Sequence, residues 1–121
     1  MKIQEYQAAS LLNNYGIETV PGELADCSGE VAGIAQKLGG KVVVKAQVLV
    51  GGRGKAGGVR LASSPAEAEK MAREILALTI KSIPVKKVWI AQAVGILQEY
   101  YLGVAVDRTR KKTVLIASAA G

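Results

Sequence analysis

A chain of 121 residues, half of them hydrophobic, can build one domain, or part of one, around its own core. Histidine is absent, which removes imidazole acid–base catalysis and imidazole metal ligation, and the single cysteine, Cys27, excludes an internal disulfide and fits a reducing cytosol. A net charge of +6 favours anionic partners, whether phosphorylated small molecules, nucleic acid or acidic segments elsewhere, while 4% aromatics and no phenylalanine argue against a stacking platform for single strands. No apolar run reaches the length of a membrane span, and the opening MKIQEYQAAS lacks the apolar segment of a signal peptide, so a cytoplasmic setting is expected.

In chain order, Ala8, Leu11, Leu12 and Tyr15 recur at helical spacing and Gly16 follows as a C-terminal cap, predicting a helix over 4–15. Residues 17–20 lean towards strand, turned by Pro21-Gly22. Ser28 is placed to cap a second helix whose stripe is Val31, Ile34, Ala35 and Leu38, closed by Gly39-Gly40. A strand over 42–50 and a short one over 59–62 flank a glycine-rich loop. Ser64, Pro65 and Glu67 then form a capping box with proline at the first helical position, opening a helix that reaches about residue 80 along Ala68, Met71, Ala72, Ile75, Leu76 and Thr79. Pro84 breaks that pattern before a strand over 86–91. Residues 99–106 and 113–118 read as a hairpin across the basic turn DRTRKK, with Tyr100, Leu102, Val104 and Val106 on its apolar face. The ending SAAG follows a strand directly, so a break within a larger domain is expected.

The stretch with the strongest chemical signal is VVVKAQVLVGGRGKAGGV, residues 42–59. In an extended segment Val42, Val44, Ala46, Val48 and Val50 point one way, and Val43, Lys45, Gln47 and Leu49 the other. A lysine among valines needs an anion or a set of oxygens to meet it. The loop beyond carries five of the chain's fourteen glycines within 51–58, together with Arg53 and Lys55. Glycine-rich backbone can turn its N–H groups onto a ligand, so lysine and loop together read as a phosphate site. Two other readings stand beside it: a solvated surface loop, and an RGG-like contact to RNA. Gly52, Gly54 and Gly57 match G-x-G-x-x-G, but a strand and not a helix follows, which argues against a dinucleotide fold. Walker A fails because Ala56 follows Lys55. Lys45 has an alternative role as half of a structural ion pair, with Glu99 as a candidate partner. Cys27 reads as an ordinary thiol without a base to activate it.

On these residues the chain closely resembles the β subunits of the succinyl-CoA synthetase (succinate–CoA ligase) family, which are ATP-grasp proteins. The opening IQEYQAASLLNNYGI, the K-x-Q-x-x-x-G-G-R-G-K-A-G-G segment, and EYYLGVAVDR followed by VLIAS are similar to the family pattern in the same order. The resemblance implies an α/β (α+β) fold: the N-terminal portion of an ATP-grasp domain spanning 1–121, a small mixed or antiparallel sheet with flanking helices. It implies nucleotide binding by Lys45, Gly52, Arg53 and Gly54 at the phosphates, by Glu99 at the sugar, and by backbone groups of Ala91 and Val94 at the base. Ala91 stands where the family offers a glutamate, and the small apolar Val20 leans towards ATP over GTP.

The activity implied is ATP-dependent interconversion of succinate and succinyl-CoA in the tricarboxylic acid cycle. A separate α subunit carries a phosphohistidine, and CoA and succinate bind the complete enzyme. Mg²⁺ is expected as a cofactor with ligands outside this chain, so no metal ligand and no catalytic residue is assigned here and the segment alone is expected to be inactive. The alternatives are another acid–CoA ligase of malate–CoA ligase or ATP-citrate lyase type, with Gly52 pointing to the succinate branch, and a non-catalytic basic module binding polyanions through GGRGKAGG and DRTRKK.

Overall fold

The computed structural model describes residues 1–120. Its elements run α1 (Glu5–Asn14), β1 (Gly22–Ala25), α2 (Val31–Lys37), β2 (Val42–Ala46), β3 (Val59–Ala62), α3 (Pro65–Leu76), β4 (Thr79–Ile80), β5 (Ile83–Pro84), β6 (Val88–Gln92), β7 (Tyr101–Asp107) and β8 (Lys112–Ser118). β1, β6, β2 and β3 form one sheet in that order, and every pairing within it is antiparallel.

The alternation in β2 divides this sheet into two unlike faces. Val42, Val44 and Ala46 are fully buried, while Val43 and Lys45 opposite them are only half-buried. The first face joins Val88 and Ile90 of β6, Ala25 and Ala62 to two helices: Val31, Ile34 and Ala35 from α2, and Ala68, Ala72 and Ile75 from α3. Each large aliphatic side chain sunk here contributes about 1.5–3 kcal/mol. α3 starts as expected: Ser64 Oγ accepts from the Glu67 N–H at 3.3 Å and Pro65 follows the cap. Glu67 reaches back to the N–H of Ser63 at 2.7 Å, so the carboxylate arm of the box lands one residue early.

α1 lies across the second face and buries none of its residues fully; Leu11, Leu12 and Tyr15 remain exposed. Tyr6 stacks on Trp89 with ring centroids 6.3 Å apart. Gly22 makes room for that indole. A Cβ there would sit 2.6 Å from two of its ring carbons and 2.8 Å from the Ile90 carbonyl.

Several boundaries differ from the sequence expectation. The strand expected over 17–20 lies at Gly22–Ala25, because the ladder with β6 begins where the Pro21 carbonyl accepts from Gln92 N–H at 2.9 Å. Ser28 does not cap α2; it opens a 3₁₀ turn, Ser28–Glu30, that leads into the helix. The third helix stops at Leu76, and Thr79 and Ile80 turn into a small hairpin through Lys81 and Ser82, both at positive φ. Ile80 is buried there, packed against Gly58 just before β3. The strand expected over 86–91 spans Val88–Gln92, and the one from 99 begins at Tyr101, leaving Glu99 outside it.

β7 and β8 form their own two-stranded sheet. Leu102, Val104 and Val106 share one face with Leu115 and Ala117, and Val114 and Ile116 lie on the other. Most of these side chains are exposed in this chain. No helix among the described residues is long and apolar enough to cross a membrane.

Candidate functional site

The second sheet face and the loop after β2 meet at the N-terminal turn of α1. β2 ends at Ala46 and not at Val50, because the partner strand is replaced there by a side chain: Arg53 Nη1 donates to the Ala46 carbonyl at 2.8 Å. Gln47 then turns inward and is almost completely buried. Its Nε2 donates to the carbonyls of Lys45 and Ala46 at 3.2 and 3.3 Å, and its Oε1 accepts from the Tyr6 N–H at 3.3 Å. Gln4 Nε2 adds a bond to the Gln47 carbonyl at 3.2 Å. The start of α1 is therefore held by polar contacts, each satisfied, in place of an apolar seam.

Glu5 is the first helical residue of α1 and sits at the centre of this arrangement. Its Oε1 accepts from Lys45 Nζ at 2.8 Å and its Oε2 from Arg53 Nη2 at 2.9 Å. Burial alone would raise the Glu5 carboxyl, but the hydrogen bonds and positive charges of Lys45 and Arg53 outweigh it and hold the group below its ordinary value. Lys45 is thus ion-paired as one reading of the sequence expected, with Glu5 and not Glu99 as the partner. The sequence reading passed over Glu5 because it lies 40 residues from Lys45 and belongs to a helix whose stripe reads only as packing.

The glycine-rich loop is an ordered structure pinned at both ends by arginine. Residues 53–57 make a single helical turn: the N–H groups of Ala56, Gly57 and Gly58 bond the carbonyls of Gly52, Gly54 and Arg53 at 3.2, 3.0 and 2.8 Å. The last two bonds, with Gly57 at φ +75°, form the left-handed closure that glycine favours. Arg60 Nε then holds the Gly57 carbonyl at 3.0 Å, and Arg60 itself pairs with Glu74 of α3. The turn is closed by its own hydrogen bonds, while Gly51, Gly52, Gly54, Lys55 and Ala56 remain exposed. Among the described residues, the N–H groups of Gly52, Arg53 and Gly54 have no protein acceptor. Lys55 at the tip has no carboxylate partner there, and a Cβ on Gly52 would lie 3.9 Å from Lys81 Nζ.

Two cavities flank Glu5. One of about 700 Å³ is bordered by Lys2, Glu5, Leu49, Gly52, Arg53 and Gly54. The other, about 240 Å³, lies between α1 and the sheet and is bordered by Glu5, Leu12, Val20, Lys45, Trp89 and Ala91. The structure therefore groups Lys45 with Ala91 and Val20, and Arg53 with Gly52 and Gly54, with Glu5 common to both sets. Val94 and Glu99 are exposed and border neither cavity, and among the described residues Glu99 makes no ion pair with Lys45 or Arg53.

The backbone of Ala91 is committed to the sheet. Gln92 N–H faces β1 and Ala93 N–H bonds Lys41 at 3.1 Å on the opposite side, so by alternation Ala91 faces β2, where it pairs with Val43. The Ala91 backbone expected to meet a base edge is thus engaged in the β2 ladder, and the residue borders the smaller cavity. Asp26, Cys27 and Glu30 are close enough together to share an ion but are exposed and border neither cavity.

The ATP-grasp domain model matches residues 2–121. This chain belongs to the ATP-grasp domain family. The β subunit of the ADP-forming succinate–CoA ligase of Roseiflexus sp. (strain RS-1) is 50% identical over all 121 residues, as is the β subunit of the GDP-forming enzyme of Thermus thermophilus, and in both the match covers 32% of the relative. The corresponding ADP-forming subunit of Chloroflexus aggregans is 52% identical over the same span. The chain thus spans about a third of the length of the curated relatives it matches. Among solved structures, the dinucleotide-forming acetyl-coenzyme A synthetase 1 of Ca. Korarchaeum cryptofilum is similar in fold, with a TM-score of 0.83 at 20% identity over 97% of this chain and 53% of that one. ATP citrate lyase of Methanothrix soehngenii gives a TM-score of 0.75 at 24% identity over 99% of this chain and 32% of the other. The mixed helix and antiparallel-sheet architecture expected from the sequence agrees with this family.

Proposed function

We propose that this ATP-grasp chain is the nucleotide-clamping N-terminal part of a succinate–CoA ligase β subunit, ADP-forming, within a domain completed by further residues. The observation that carries the reading is the convergence of Lys45 and Arg53 on Glu5 between two adjoining cavities, with the unpaired N–H groups of the 52–54 backbone beside the larger one, in a chain half identical to subunits of that name. Cations and backbone donors of this kind neutralise phosphate oxygens, and the preorganised loop needs little further ordering to do so.

This reading divides the roles among the residues around Glu5. Arg53 and the 52–54 backbone meet the outer phosphates, and Lys45 the inner ones. Val20 and the Ala91 methyl border the apolar approach to the base, which favours ATP over GTP. Val94, past the end of the β6 ladder, has its backbone free for the base edge, and Glu99 lies in the segment 93–100 that leads from the sheet to β7. The chemistry of the complete enzyme (phosphoryl transfer to a histidine of an α subunit, then acyl-CoA formation from succinate and CoA) lies outside these residues. So do the Mg²⁺ ligands, and the setting is cytoplasmic.

The test is nucleotide binding and succinyl-CoA formation by the full-length protein with its partner subunit. Saturable ATP binding that Lys45→Ala weakens supports the reading. Binding with no preference for a nucleoside triphosphate over an unrelated polyanion, steeply dependent on salt, would replace it with the basic-module reading.

A further inference from the structure

We propose that Glu5 is a positioning residue of the phosphate site, a fixed counter-ion that aims Lys45 and Arg53 before any nucleotide arrives. The inference rests on the nucleotide-clamp reading for its consequence and on the observed contacts for its mechanism. Glu5 stands at the first position of α1, Lys45 near the end of β2, and Arg53 in the loop, so one carboxylate ties three separate segments together at 2.8 and 2.9 Å. All three side chains are about a quarter exposed, which makes the contacts stronger than those of a solvated surface pair.

Donor arithmetic shows that Glu5 can stay in place while phosphate binds. An ammonium has three N–H donors and a guanidinium five. Glu5 takes one from Lys45 and one from Arg53, and the Ala46 carbonyl takes another from Arg53. The remaining donors are available to a ligand in the cavities that Glu5 separates. Charge points the same way. Two cations against one carboxylate leave a net positive charge for phosphate, whereas without Glu5 the ammonium and guanidinium would repel each other. Lys45 would then be free to leave the sheet face and Arg53 the loop. Placement of the donors in advance is what removes ordering cost from binding.

Glu5→Gln keeps the shape and removes the charge; Glu5→Asp keeps the charge and shortens the reach. Both are made in the full-length protein purified with its partner subunit. ATP affinity is measured by titration calorimetry, and the trypsin cleavage rate after Arg53 and Lys55 is measured without nucleotide. E5Q is expected to weaken ATP binding about ten-fold, as for loss of a charge-assisted contact, and to speed loop cleavage several-fold. E5D should recover part of both losses. In an Arg53→Ala background E5Q should weaken ATP binding by clearly less than in the wild type, because only the Lys45 half of the coupling then remains to be lost.

Tighter ATP binding in E5Q would show that the carboxylate competes with phosphate, and would overturn the proposal. An unchanged affinity, or an undiminished loss in the Arg53→Ala background, overturns it equally. If the wild-type protein binds no ATP at all, the nucleotide-clamp reading falls. The cleavage rate still decides whether Glu5 holds the loop, and an unchanged rate there ends the proposal independently.

Discussion

The two faces of the central sheet are made from alternate residues of the same strands, yet they are built on opposite principles. One face is dry: Val42, Val44 and Ile90 meet the buried stripes of α2 and α3, and no ionic group intrudes. The other carries Lys45 and is covered by a helix with no fully buried residue, held at its start by Gln4, Glu5 and Tyr6 acting on Lys45, Gln47 and Arg53. The dry face supplies stability, which is non-directional and scales with area. The polar face supplies direction, since hydrogen bonds place a few charged atoms to within fractions of an ångström. The contrast explains how a small sheet can hold cations near its core without unfolding.

If that division is right, substitutions on the two faces should separate stability from binding. The largest effect belongs to the dry face: Ile90→Ala in the full-length protein should cost about 2–5 kcal/mol in denaturant unfolding while leaving the ATP affinity of the folded protein unchanged. Next, Lys45→Ala should reverse the pattern, weakening ATP binding by roughly 10–100-fold, the size of a lost hydrogen bond to a charged group, with less change in unfolding free energy than Ile90→Ala. A comparable loss of both quantities in either variant would break the comparison.

Gly57→Ala tests the loop that joins the faces. Its φ of +75° puts a side chain in the left-handed region, costing about 1–2 kcal/mol and weakening ATP binding with it. Ser64→Ala removes the cap of α3 and should cost about 1 kcal/mol, with no effect on binding because α3 lies on the dry side.

The smallest effect is a pH dependence. The Glu5 carboxyl is held below its ordinary value, so its contribution to stability is full above the unfolded-state value of roughly 4.3. That contribution is lost as pH falls through the lower folded value. The unfolding free energy of the wild type should therefore fall more steeply with acid in that window than that of Glu5→Gln. Parallel curves would show that the Glu5 clasp adds nothing.

Much of this protein was determined by sequence alone. Local signals sufficed where the physics is local: the valine alternation that buries one face, the Ser64-Pro65-Glu67 cap, and the helical stripes of α2 and α3. Tertiary structure decided what local signals cannot carry. α3 ends at Leu76 and Ile80 is buried from a small hairpin, while at the end of β2 an arginine from the loop takes the Ala46 carbonyl on the β3 side. The Ala91 backbone is spent because β6 has neighbours on both sides. Above all, only the fold could bring Glu5 to Lys45 and Arg53, 40 and 48 residues away. A carboxylate carries no mark of its partner in a sequence, since ion pairing depends on distance in space, and that distance is set by the packing of α1 across the sheet.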